Sequence, residues 1–404
     1  MTKSSSDQIG FTIDVPLDYK DPTLGTGSLY YEFGKPFEEN KPTVFVIVDA
    51  QQFFIREGEV VNFQERWFGD DFNVLGITGR GTRPDFIQAV LDKDEEPDWK
   101  KAWRIFNHYQ WLSDIEAVRK SLLGDEGKIH IYGESGGGMM AHQYLAEYGQ
   151  HVSRAFTRAC VHPYLINQLG LHSDRFWNEI GEYDPNLHND MKKVLKRYDN
   201  QRPLVAMTFQ RQNFYVTPDE IGSARAKLIQ ALANGDEDYF AKVREEYAVD
   251  DVNQIMQSND AIPIRVRLFE FLAPTDARER ITEKKLFPDY EVQVNISDPL
   301  ISLADAGEIT PAPYPVLNLH SLDAEVFVLS GRWDHVVDYR TSIALAASYP
   351  HGHLYIADDS HVFQVFEESG LLAPLLQNFL KFGLDSDEYN KALGKAEKFH
   401  WREQ

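Results

Sequence analysis

Lys128-Ile129-His130-Ile131-Tyr132-Gly133-Glu134-Ser135-Gly136-Gly137-Gly138-Met139-Met140-Ala141-His142-Gln143-Tyr144-Leu145 decides the fold. An apolar run ends in Gly133-Glu134-Ser135-Gly136-Gly137, and a helix-forming run follows at once. This is G-x-S-x-G between a buried strand and a helix, the context a serine nucleophile elbow requires. Such a turn holds its Ser in a strained backbone state and lifts the hydroxyl above the sheet edge. Gly133 and Gly137 supply the small flanks that a sharp strand-to-helix exit needs, and Gly138 lets the helix pack close to the sheet. A dinucleotide site fits poorly. Ser135 stands where G-x-G-x-x-G needs its second glycine, and the segment lies far from the first strand.

Upstream the chain reads as strands at 11–16, 28–33, 43–48 and 73–79. Thr43-Val44-Phe45-Val46-Ile47-Val48 is almost continuously apolar, as in a strand covered on both faces. From about 103 to 123 the pattern turns helical, with Ile115, Val118 and Leu122 at three- and four-residue spacing. A strand through Ala155–Val161 follows the elbow helix. Residues 165–315 are rich in helical patterns, charge and aromatics, and fit a helical insertion. Strand patterns return at 325–330 and 354–357, and an apolar helix over 362–382 precedes a charged tail helix. Strands alternating with helices predict an α/β fold, a mostly parallel sheet with helices on both faces.

Composition narrows the function classes. The chain has 404 residues, 43% hydrophobic and 13% aromatic, enough for a substantial core. Its net charge of −22 opposes binding to nucleic acid and to anionic membranes. Cys160 is the one cysteine, which excludes an internal disulfide and thiolate metal sites. The histidines show no H-E-x-x-H or similar spacing, so no metal is expected. Residues 1–8 lack the apolar stretch of a signal peptide, and no run reaches the length of a membrane span. The expected location is cytoplasmic.

A serine hydroxyl needs a base, and the base needs an orienting acid. With an elbow of this kind the chain order is Ser, acid, His. Asp334 in Ser330-Gly331-Arg332-Trp333-Asp334 leaves a late strand through a glycine. His361 in Ala357-Asp358-Asp359-Ser360-His361 follows the last strand. The 27 residues between them, 361 − 334, leave room for one helix and one short strand. Asp338, Asp358 and Asp359 are rival acids that also read as helix or turn caps. His335, His351 and His353 are rival bases.

The elbow, the order Ser135, Asp334, His361 and the helical insertion resemble the α/β-hydrolase superfamily. Within it the chain looks most like the proline iminopeptidase and tripeptidyl aminopeptidase branch of serine peptidases. Val15-Pro16-Leu17-Asp18-Tyr19-Lys20-Asp21-Pro22, the turn Gly79-Arg80-Gly81-Thr82-Arg83-Pro84, and the elbow helix running to Tyr148, Val152 and Arg154 are similar to segments of that branch. The resemblance covers about 11–163 and 322–383. It implies a first core part at 1–164, a cap domain at 165–315 over the active site, and a second core part at 316–404.

One departure stands out. The branch carries H-G-G-P-G after its third strand, and here that place reads Asp49-Ala50-Gln51-Gln52-Phe53. The expected oxyanion donors become the backbone N–H groups of Gly136 and Gln51. Branch cap carboxylates bind the free amino group of the substrate. Glu270, in Arg267-Leu268-Phe269-Glu270-Phe271, is the candidate, with a solvated helix charge as the alternative. The activity implied is cofactor-free acyl transfer to water on a small-molecule or short-peptide substrate, by an aminopeptidase or, alternatively, a carboxylesterase. A catalytically silent binding protein on the same fold is the third reading.

Overall fold

The computed structural model describes residues 8–48, 55–160, 162–171, 175–272, 278–279, 281–311 and 319–402. Eight strands form one sheet: β1 Gly10–Pro16, β2 Thr26–Phe33, β3 Thr43–Val48, β4 Asn73–Thr78, β5 Ile129–Glu134, β6 Val152–Arg158, β7 Glu325–Gly331 and β8 Gly352–Ala357. Their order is β1-β2-β4-β3-β5-β6-β7-β8. The β1–β2 and β2–β4 pairs are antiparallel, and every pair from β4 onward is parallel.

Alternation along β3 explains why its run is apolar throughout. Phe45 and Ile47 enter one core cluster with Trp111, Ile115, Met140 and Tyr144. Val44 and Val46 enter the other, with Trp67, Phe68, Leu376 and Phe379. Helices His108–Leu123 and Gly136–Tyr148 therefore cover one face, and Leu372–Phe382 and Asp387–Ala396 cover the other. Burying each large apolar side chain contributes about 1.5–3 kcal/mol. Central rings stack across the strands as well, with Phe156 and Phe327 centroids 4.6 Å apart.

Two segments that carried the family resemblance meet at the buried side chain of Arg80. Arg80 Nε and Nη2 donate to the Asp114 carboxylate at 2.6 and 2.8 Å. The same guanidinium donates to Leu17 O at 2.7 Å and Pro16 O at 2.9 Å. The Arg-Gly turn after β4 is thus clamped to the end of β1.

Some expected elements end elsewhere. The strand expected through Cys160 stops at Arg158, because Ala159 takes a left-handed backbone with φ 49°. The helix expected over 103–123 is two, Trp99–Phe106 and His108–Leu123. Asn107 divides them, and its side chain caps the second by accepting from Tyr109 N at 3.1 Å. The helix expected over 362–382 is also two, Gln364–Glu368 and Leu372–Phe382, with Gly370 at φ 71° between them.

Between β6 and β7 the described residues hold helices and no strand, from Pro163–Leu169 to Pro288–Asp305. Most of these helices share a core of their own, around Phe176, Met191, Phe209, Leu228 and Phe240. Helices Ile262–Leu272 and Pro288–Asp305 also pack against Val15, Leu29, Phe86 and Trp103 of the first part of the chain. No helix among the described residues is long and apolar enough to cross a membrane.

Candidate active site

β5 delivers Ser135 to the C-terminal edge of the sheet, and the helix Gly136–Tyr148 starts at the next residue. Ser135 has φ 51° and ψ −122°, a conformation side chains rarely adopt. Holding a residue there costs about 1–3 kcal/mol, which the surroundings must offset. Ser135 N donates to Arg158 O at 3.0 Å, and Met139 N donates to Ser135 O at 3.2 Å. The glycines are needed for approach. A Cβ on Gly133 would lie 2.8 Å from Ala141 Cβ, and one on Gly138 would lie 2.4 Å from Cys160 Sγ. Cys160 is therefore a small buried neighbour of the elbow helix, and burial pushes its thiol up to about 12. Gly138→Ala is expected to destabilise the fold by about 1–3 kcal/mol. The urea midpoint measures this, and adding Cys160→Ala should recover part of the loss.

Asp334 and His361 come to the same edge from the loops after β7 and β8. Asp334 is fully buried. Its Oδ1 accepts from Val336 N at 2.8 Å and Val337 N at 2.9 Å, which fixes the carboxylate plane. His361 Nδ1 lies 2.9 Å from both Asp334 oxygens. His361 Nε2 lies 3.1 Å from Ser135 Oγ. A carboxylate can only accept, so Nδ1 carries the proton and Nε2 faces the hydroxyl with its lone pair.

The rivals have other partners. Asp338 caps the helix Tyr339–Ala347 through Arg340 N at 2.9 Å. Asp358 accepts from Trp333 Nε1 at 2.9 Å. Asp359 accepts from Ser360 N at 2.7 Å and Phe366 N at 2.8 Å. His353 stacks on Phe327 at 5.1 Å, and His351 is exposed.

His335 is the rival that does reach the site. Its ring centroid is 5.7 Å from that of His361. Burial, then the charges of His361 and Arg225, hold its imidazole well below the ordinary range. It is neutral at physiological pH and adds no charge beside the base. Phe214 lies edge-on to both rings, at 4.4 Å from His335 and 5.3 Å from His361. Together with Ile166, Phe271, Val336 and Val337 it forms an apolar cluster beside Asp334. The other aromatics of the insertion lie elsewhere. Phe176, Trp177 and Phe209 are in its own core, Phe269 packs on Trp103 at 5.3 Å, and Tyr215 is half exposed.

The carboxylate of Glu134, next to the nucleophile, is neutralised. Arg158 Nη2 lies 2.8 Å from its Oε2, and Tyr132 donates to the same oxygen at 2.9 Å. Arg158 also pairs with Glu367, on the short helix that follows His361. Sequence reading passes over Arg158 because nothing local distinguishes it. Only the position of Arg158 at the end of the neighbouring strand could have pointed to it.

Gly136 is the first residue of the elbow helix and is buried. The N–H groups of a first helical turn have no acceptor inside the helix, and the helix dipole adds positive potential there. Gln51 lies outside the described residues. The described residues resume at Ile55, and the N–H groups of Gly58 and Val60 donate to the buried Glu32 carboxylate at 2.8 and 3.0 Å.

Glu270 is not a solvated helix charge. Its side chain is 5% exposed and sits in a network of protein donors. Oε1 accepts from His108 N at 2.8 Å and lies 2.8 Å from His108 Nδ1. Oε2 accepts from Arg267 Nη1 at 2.6 Å. Burial pushes this carboxyl up, but Arg267 and His108 outweigh it and hold it below the usual range. Among the described residues, no group of three or more His, Cys, Asp or Glu is placed to hold a metal ion.

No family model matches the chain, and no curated protein matches it. Solved structures do. An α/β-hydrolase enzyme from a Medee basin deep-sea metagenome library is 13% identical over 89% of this chain and 97% of its own, with a TM-score of 0.43. A homoserine O-acetyltransferase from Staphylococcus aureus is 14% identical over 95% and 99%, with a TM-score of 0.45. An esterase from Exiguobacterium antarcticum is 12% identical over 88% and 96%, with a TM-score of 0.43. Such remote likenesses say nothing of activity. By its strand order, its parallel run from β4 to β8 and the Ser135 elbow on β5, the chain has the α/β-hydrolase fold.

Proposed function

We propose that the protein is a serine hydrolase that works through an acyl-enzyme, acting on carboxylic esters with apolar acyl groups ahead of aminoacyl amides. The observation that carries the reading is the chain of contacts from Asp334 through His361 to Ser135 Oγ, at 2.9 and 3.1 Å. Ser135 Oγ attacks the carbonyl carbon as its proton passes to His361 Nε2. Asp334 stabilises the imidazolium that forms. The carbonyl oxygen becomes an oxyanion and takes the Gly136 N–H, with Gln51 as the second donor. Loss of one such donor costs about 3 kcal/mol of transition-state stabilisation. Collapse expels the alkoxide, which leaves with the proton from His361. Water then attacks the acyl-enzyme by the same route and releases the acid and Ser135. The insertion acts as a cap that shields these steps from bulk water.

Two observations favour esters. The Glu270 oxygens are already engaged by Arg267 and His108. An apolar cluster that includes Phe214, Phe271, Ile166 and Val336 packs beside Asp334 and His361. The aminopeptidase remains the second reading, on one observation. Asp289 of the helix Pro288–Asp305 brings Oδ1 to 3.7 Å from His335 Nε2, so a carboxylate other than Glu270 stands near the base.

A substrate panel separates the readings. Turnover of para-nitrophenyl acetate and butyrate is expected, with none of aminoacyl para-nitroanilides, proline included. Anilide turnover that disappears when the amine is acylated would transfer the assignment to the aminopeptidase.

A further inference from the structure

We infer that Arg267 is a positioning residue for the oxyanion site, holding from the inserted helix Ile262–Leu272 the glycine that follows the nucleophile. The inference rests on the acyl-enzyme reading above and adds to it a part played by the insertion in catalysis itself. Ser135 is strained, and Gly136, Gly137 and Gly138 follow it. Three successive glycines have the widest conformational freedom a backbone can have. The plane of the Gly136 N–H is held by Met139 N donating to Ser135 O at 3.2 Å, so it is the next plane, which carries Gly136 O, that needs a contact from outside the turn to fix it.

Arg267 does so. Its Nη2 lies 3.3 Å from Gly136 O and 3.1 Å from Gln143 Oε1, so one guanidinium nitrogen joins positions about two turns apart on the elbow helix. Nη1 is 2.6 Å from Glu270 Oε2. Glu270 Oε1 in turn accepts from His108 N at 2.8 Å, at the start of the core helix His108–Leu123. The guanidinium lies 5.3 Å from the centre of the Phe271 ring, which belongs to the apolar cluster beside Asp334.

The whole guanidinium is buried, and its Nε has no hydrogen-bond partner among the described residues. A buried, partly satisfied ion pair is a poor source of stability, since apolar side chains of similar volume often do as well or better. Stability alone therefore does not account for this pair. Glu270 balances the charge of Arg267, so the effect on the oxyanion site is one of aim and not of net charge. Displacing the inserted helix would take the guanidinium away from Gly136 O, which ties the oxyanion donor to the placement of the insertion.

The test compares the parent with Arg267→Lys and with Arg267→Met/Glu270→Met, which removes both charges together and leaves no lone buried ion. Three quantities are read on one ester: kcat, KM, and inhibition by a phenylboronic acid, whose tetrahedral adduct needs the oxyanion donors. In the double variant kcat is expected to fall about 10- to 100-fold, with KM changed less than about twofold. Boronic acid binding should weaken by the same factor as kcat. Arg267→Lys should recover part of both, because one ammonium cannot hold Gly136, Gln143 and Glu270 in the guanidinium geometry. The inference is overturned if the double variant keeps the parent kcat and boronic acid affinity and loses only thermal stability. A parent that the boronic acid does not inhibit overturns the acyl-enzyme reading itself.

Discussion

Replacing Ser135 with alanine is expected to lower kcat on the best ester by about 10⁵- to 10⁶-fold. No described side chain can take over the attack from the same position. His361 Nε2 points at Ser135 Oγ at 3.1 Å, and the elbow alone projects a hydroxyl there. Residual turnover would come from water attacking a substrate still held near Gly136. The fold should be unaffected, because alanine keeps the strained backbone and removes only the oxygen that contacts His361. A change in unfolding free energy beyond about 0.5 kcal/mol would mean that the hydroxyl has a structural role. Steady-state kinetics and a urea titration on the same preparation measure both.

Asp334→Asn is the second large effect, a fall in kcat of about 10⁴-fold. The argument concerns one proton. Asp334 Oδ1 accepts from Val336 N and Val337 N, so an asparagine keeps its carbonyl oxygen there and turns its amide toward His361. That amide donates, and Nδ1 must then accept. The imidazole proton moves to Nε2, where it faces Ser135 Oγ with no lone pair left to act as base. The imidazolium also loses its counter-charge. Asp338 and Asp359 cannot substitute, because their oxygens are committed to Arg340 and to the start of the helix after His361. Asp338→Asn should therefore leave kcat within about threefold of the parent, in the range of a substitution away from the reacting groups.

The parts of this site that sequence made legible were those with a local cause. The elbow needs small residues on both sides of one serine, and Gly133, Gly137 and Gly138 supply that pattern in adjacent positions. Asp334 and His361 could be placed because each leaves a strand end within a few residues. The apolar run of β3 announced a strand covered on both faces, and Phe45 and Val46 do enter opposite clusters. The rest depends on residues far apart in the chain. Arg267 and Gly136 are 131 positions apart, and Arg80 and Asp114 are 34 apart. Neither pair has a periodic signature. Glu270 read as an amine-binding candidate or a solvated helix charge; its pairing with Arg267 three residues earlier is local, but nothing in Arg267–Phe271 indicates that His108 would enclose it. Helix breaks were missed where one residue sets them, at Asn107 by a side-chain cap and at Gly370 by a left-handed backbone.

The most direct test of the central claim is mass spectrometry of the folded protein after reaction with a fluorophosphonate probe. The account predicts one covalent adduct, on the peptide carrying Ser135, and no adduct in His361→Ala under the same conditions. Unlabelled Ser135 in the folded parent, or a label on another serine that survives the loss of His361, would contradict it.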